Sequence, residues 1–248
     1  QNFGGTGTED TSLVSSDHRV LNTGLGSGAN LRGLGSDATL TLVNGRRVAG
    51  SGGKGDFTDL STIPTGAVAR IEVMADGASA LYGSDAVGGV INIILRRDFN
   101  GAESRLRVGS VTSGSTRDYL ASQLFGRTWS GGHFLIAYEY QHRGALPSTD
   151  RRYAASADLR PLGGSDFRPF YSDPGTILAF NPSTGTFTPR YAIPAGQDGS
   201  HVTLADLRPG ANLEDPRPGT DLLPGQIRHS VYATAEQRLA PWVTLYAE

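Results

Sequence analysis

The chain has 248 residues, 22 Lys and Arg against 24 Asp and Glu, and no cysteine. A net charge of −2 leaves no electrostatic footprint for nucleic acid, and the missing thiols exclude disulfide staples and thiolate metal sites. With 34 Gly and 13 Pro, turns and short strands are favoured over helices.

Residues 1–98 form one Gly-rich compositional block, with short apolar runs at Thr39–Val43, Ala69–Met74 and Gly89–Leu95. The first run alternates and then meets Asn44-Gly45, a strong hairpin signal. Gly77–Tyr82 reads as a short helix, with Asp76 as N-cap and Gly83 as its stop. Val90–Leu95 is nearly all apolar and reads as a buried strand.

From residue 101 the pattern changes to alternating strands. Ala102–Val108, Tyr119–Phe125, Phe134–Gln141, Val231–Leu239 and Val243–Ala247 give about five, each with one apolar and one polar face. The charged polar faces suit a wet lumen. Two connections are short, at Ser130–Gly132 and Ala240–Pro241, and the Gly109–Arg117 connection reads as a first extracellular loop. The connection at 144–227 is long, holds 11 of the 13 prolines and shows little strand pattern, so it reads as a structureless loop. Short turns alternating with long loops describe a membrane β-barrel, turns periplasmic and loops extracellular. Trp129 and Trp242 flank the two short turns, as membrane-interface aromatics of one girdle would. No run reaches the roughly 18 apolar residues of a membrane helix, but a barrel strand needs only about 9–11 alternating residues. Gln1 follows no signal peptide and Glu248 falls within a strand pattern, so both ends read as cut.

Phosphate and catalytic motifs fail on inspection. Gly50–Gly55 contains Gly-Lys, but Val48 stands where a P-loop has its first Gly and Gly55 where it has Ser or Thr. Gly24-x-Gly26-x-x-Ala29 matches a dinucleotide fingerprint in letters, with no strand before it or helix pattern after it. His18, His133, His142, His201 and His229 have no metal-ligand spacing, and no carboxylate pair is placed for acid–base work. The reading therefore names no enzyme, no cofactor and no metal.

Six motifs then fall in order: Leu31–Gly35, Thr39–Arg47, Ile63-Pro64, Ala69–Val73, Asp76–Gly83 and Ala86–Ile93. In that order and spacing the first hundred residues resemble the plug domain of TonB-dependent receptors. The fold class implied is an α+β plug domain at 1–98, followed at 99–248 by antiparallel strands of an incomplete transmembrane β-barrel.

The resemblance implies plug-motif positions at Arg32, Gly33, Asn44, Gly45, Arg70, Glu72, Gly77, Tyr82, Gly83, Gly88, Gly89 and Asn92. Most build the plug; Arg32 and Arg70 match arginines that face barrel carboxylates, expected in strands beyond this chain. Glu72 is expected to pair within the plug. The resemblance further implies a barrel of about 22 strands in the bacterial outer membrane. It implies active import of a scarce large solute, whether iron-siderophore, cobalamin or oligosaccharide, with TonB, lipid and the extracellular ligand as partners. Residues 1–20 show no convincing TonB box. The rival reading is a soluble carbohydrate-binding β-rich module. The outward face Phe134, Ile136, Tyr138 and Tyr140 separates the two: it meets lipid in a barrel and a second sheet in a sandwich.

Overall fold

The computed structural model describes residues 26–51, 55, 57–197 and 200–248. Gly24 and the segment searched for a TonB box lie outside the described residues. The chain divides into two compact units: residues up to Leu146 with Leu223–Glu248, and Pro147–Leu222.

The first unit begins with β1 (Thr39–Val43), β2 (Arg46–Arg47), β3 (Val68–Met74), the helix α1 (Ser79–Tyr82) and β4 (Gly89–Leu95). β5 (Gly101–Ser110), β6 (Arg117–Trp129), β7 (Gly132–Arg143) and the two-residue β8 (Leu146–Pro147) follow. The second unit contains β9 (Thr176–Asn181), β10 (Thr186–Ala192) and β11 (Arg208–Pro209), and β12 (Asp221–Leu223) lies at its far border. β13 (Gln226–Ala240) and β14 (Val243–Ala247) return to the first unit.

The small domain is a mixed sheet of order β2-β1-β4-β3. Asn44 and Gly45 both take positive φ, 50° and 77°, which closes the tight β1–β2 hairpin with Val43 opposite Arg46. β1 runs parallel to β4, so a crossover must separate them, and β3 and α1 provide it. Apolar side chains of the two central strands then bury on both faces. Leu40, Leu42 and Val90 pack with Ala78 and Ala86 from the helical segment. Ile93 and Leu95, on the opposite face of β4, pack instead against the second sheet of this unit.

That second sheet is antiparallel, in the order β5-β6-β7-β13-β14. Its register places Val108 beside Tyr119, Phe125 beside Ile136, Tyr138 beside Val231, and Gln237 beside Leu245 on one face. This outward face is apolar through Leu106, Val108, Phe125, Ile136 and Val231, all exposed. The opposite face carries Glu103, Arg105, Ser122, Glu139, Ser230 and Thr234, interrupted by Leu124, Leu135 and Ala137.

Several expectations change. The strands run longer than the alternation suggested: Gln226↔Arg143 and Ile227↔His142 extend β13 and β7 through mostly polar residues that a hydrophobic pattern marks poorly. The inner face is not purely charged; it holds an apolar seat for Ala67, Ile93 and Leu95. Asp76 does not cap α1: the N-cap position is Ala78, without a side-chain hydrogen bond, and Asp76 pairs with Arg32. Gly83, at φ 88°, does end the helix. The 144–227 segment is not structureless, because most of it folds as the second unit. There β9 and β10 form a hairpin and β11 pairs with β10.

Candidate functional site

The first candidate site is the surface where the small domain meets the inner face of the long sheet. The turn Thr65–Ala67 lies against β6 and β7, with Ala67 fully buried among Leu124, Leu135 and Ala137. Pro64 precedes this turn and offers no side-chain cap. The acceptor comes instead from Glu139 on β7. Its Oε2 receives the Thr65 backbone N–H at 3.1 Å and the Thr65 hydroxyl at 2.5 Å. Glu139 is only 6% exposed.

Two further carboxylates of the sheet meet the small domain. Glu103 accepts from Arg96 at 3.2 Å. Glu248 accepts from the Asn44 side-chain amide and lies 4.0 Å from Arg46 and 3.8 Å from Arg97. The wall therefore presents acids and the small domain presents donors. The sequence reading did not single out Glu139 or Glu103. For Glu139 the available signal was an acid on the polar face of a strand opposite serines, Ser122 and Ser230.

The plug-motif residues hold the small domain together. Arg70 donates to Glu72 at 2.8 Å, Asn92 donates to the other Glu72 oxygen at 3.1 Å, and Asn92 accepts from the Gly45 N–H at 2.9 Å. This chain of bonds crosses the sheet from β3 through β4 to the β1–β2 turn, and the expected pairing of Glu72 within the domain is present. Asn44 accepts from the Leu95 N–H at 2.9 Å. Arg32, itself at φ 61°, pairs with Asp76 at 2.5 Å. Both arginines thus find carboxylates inside the domain. Gly33 and Gly77 occupy positive-φ turns. Gly88 donates to the Ala38 carbonyl at 2.7 Å. Tyr82 closes α1, and its carbonyl accepts from Arg47, which also holds Asp85 at 2.6 Å. That guanidinium keeps the Asp85 carboxyl below the usual carboxylate range, helped by the Ser84 hydroxyl.

Gly89 sits at φ 127°, and a Cβ there would lie 2.7 Å from the Met74 carbonyl oxygen. Only glycine fits this approach of β4 to the end of β3.

Trp129 ends β6 and donates to Gln237 at 2.9 Å, and Trp242 lies in the β13–β14 turn. Both therefore sit at the same, short-turn end of the sheet. At the other end, Tyr140 and Tyr138 pack on His229, and Tyr119 on His142. His133 faces inward and His142 outward on the same strand, so these two cannot share a metal.

The second unit carries its own polar cluster. Two Asp-x-Arg segments, Asp158–Arg160 and Asp166–Arg168, lie side by side through an Asp158↔Asp166 bridge. Each arginine binds its own aspartate through two bonds, and Arg160 also reaches Asp166 at 3.2 Å. Arg168, then the Arg168 backbone N–H and Arg160, hold Asp166 down at about 2. Phe170, Tyr171, Asp173, Thr176 and Glu214 line an open cleft of about 680 Å³ in this unit.

A sheet with an apolar outer face, aromatic residues at both ends and a small mixed domain seated on its inner face defines a plugged β-wall. Residues 12–90 match the family described as the TonB-dependent Receptor Plug Domain. Residues 12–90 thus carry a plug domain of that family, and antiparallel strands that do not close into a barrel among the described residues follow it. Among solved structures it is similar to two variants of the ferric enterobactin receptor of Pseudomonas aeruginosa, each in complex with enterobactin. One is 19% identical with a TM-score of 0.48, the other 20% identical with a TM-score of 0.49. Each alignment covers 87% of this chain and 25% of the other, so the chain spans about a quarter of those proteins' length.

Proposed function

We propose that this chain is the gate-bearing part of an outer-membrane receptor that imports a scarce, large solute with energy from TonB. The observation that carries the reading is the two-faced wall. Its outward residues Leu106, Val108, Phe125, Ile136 and Val231 suit hydrocarbon, and its inward face seats a plug-family domain. A five-stranded sheet has two free edges, which hydrocarbon does not tolerate, so transport belongs to a closed barrel with further strands. The ligand class stands as iron-siderophore, cobalamin or oligosaccharide. The aromatic and acidic cleft of the second unit is a candidate contact for it.

The rival reading, a soluble carbohydrate-binding module, needs a covering layer on Phe134, Ile136 and Tyr138, which are all more than a third exposed. The test is expression of the full-length receptor with and without TonB. Accumulation of one solute from a panel of ferric siderophores, cobalamin and oligosaccharides in the TonB-containing cells alone supports import. A protein recovered in the soluble fraction overturns it.

A further inference from the structure

We propose that Glu139 is the wall residue that positions the plug, by holding the turn Thr65–Ala67 against β7. The inference rests on the transport reading above and adds to it a buried contact that resists plug movement.

The three wall carboxylates that meet the plug differ in burial and geometry. The Arg96–Glu103 pair is about a third exposed on both side chains. The Glu248 ion pairs are long, 3.8 and 4.0 Å, and involve half-exposed or more exposed arginines, and its hydrogen bond from the Asn44 amide is exposed. Exposed pairs are screened by water and contribute little. Glu139 is buried, and one oxygen takes both a backbone N–H and a hydroxyl from Thr65. A hydrogen bond to a buried charge is the stronger kind, and removing its donor leaves that charge desolvated.

The surroundings make room for this contact. Directly opposite Glu139 on both neighbouring strands stand serines, Ser122 and Ser230, small enough to let the turn approach. Two and four residues along β7 towards its start, Ala137 and Leu135 form the apolar seat that receives Ala67. Polar slot and apolar seat together fix the turn in direction and in depth. Thr65 suits this role because its backbone N–H opens the turn and has no acceptor within it, while its hydroxyl points to the same oxygen.

The experiment uses the full-length receptor in cells, with entry of vancomycin, too large for ordinary porins, as the probe of an open plug. Thr65→Val removes one hydroxyl and keeps the shape; Thr65→Ser keeps the hydroxyl. Vancomycin entry at equal outer-membrane abundance is expected to rise about tenfold in Thr65→Val, the factor a charged hydrogen bond is worth. Thr65→Ser is expected to behave as wild type. Glu139→Gln is expected to leak as well, and the double variant to leak no more than Glu139→Gln alone, since both remove one interaction. A purely steric role would not distinguish serine from valine in this way. Wild-type closure in Thr65→Val, or effects of the two substitutions that multiply, would overturn the anchor. A wild-type protein absent from the outer-membrane fraction would overturn the transport reading and the anchor with it.

Discussion

Gly89 and Gly33 both lie at positive φ, 127° and 73°, yet they are constrained differently. A Cβ at Gly33 meets nothing within 4 Å, whereas at Gly89 it meets the Met74 carbonyl at 2.7 Å and Leu31 at 2.8 Å. Gly33→Ala therefore costs only the left-handed backbone preference, about 1–2 kcal/mol. Gly89→Ala adds a clash with backbone that side-chain rotation cannot relieve, and should exceed it by roughly 1–3 kcal/mol. Thermal unfolding of the two variants in the full-length receptor, followed on the plug transition, checks the order. Asp166 gives a second expectation. Its folded pKa, about 2, lies below the ordinary 3.8, so its stabilising contribution is present above 3.8 and is lost as pH falls through about 2. Amide exchange of residues 157–168, corrected for intrinsic rates, should lose protection across that window. Asp166→Asn should already be less protected at neutral pH and should show little further dependence. An identical profile in the variant would show that the Asp-x-Arg cluster does not hold the segment.

Among the strands, β7 joins the two environments. Leu135, Ala137 and Glu139 face the plug, and Phe134, Ile136, Tyr138 and Tyr140 face away. Period-two alternation makes both faces from one strand, so a substitution at one position reports on one environment. Ile136→Arg, near the middle of the strand, places a charge on the outward face. In a lipid-facing strand this costs about 2–4 kcal/mol at mid-depth, and the variant should insert poorly while the plug contacts stay intact. Membrane fractionation of the full-length variant measures it; unchanged insertion would mean that this face does not meet hydrocarbon. By contrast β3 exposes Ile71, Val73 and Met74 at the edge of the plug sheet, and β4 beside it is largely buried. The difference is written in the sequence, since β3 interleaves Arg70 and Glu72 with Ile71 and Val73 while β4 is nearly all apolar.

For the receptor as a whole, loop length sets the expected orientation. The β6–β7 and β13–β14 turns are two residues long, while Pro147–Leu222 forms a unit of its own. Short turns face the periplasm in barrels of this kind, and long connections face outward. Ser130 and Ser165 are both exposed, so each accepts a cysteine without disturbing packing. A membrane-impermeant thiol reagent applied to intact cells should label Ser165→Cys and not Ser130→Cys. Reversed labelling would invert the topology, and labelling of both would remove the membrane from the account.

The sequence by itself determined the parts that depend on local chemistry. Asn44-Gly45 dictated a hairpin because both residues accept positive φ, and Gly83 ended the helix for the same reason. The order of motifs from Leu31 to Ile93 marked the plug, and alternation from Ala102 onward marked the wall strands. What only the tertiary structure decided are pairings between residues far apart in the chain. Glu139 and Thr65 are separated by 74 positions, and nothing local tells a carboxylate whether water, an arginine or a turn of another domain will face it. Arg70, Glu72 and Asn92 form one network because β3 and β4 are neighbours in the sheet, in a register that apolar patterning does not fix. Asp76 lay at a cap position in the sequence, yet Arg32, 44 residues away, held it instead. The order of the 147–222 unit was likewise hidden. Its hairpin, its Asp-x-Arg pairs and the Asn212 side chain bonded to Pro174, Gly175 and Ile193 are polar, long-range contacts, and hydropathy carries no trace of them.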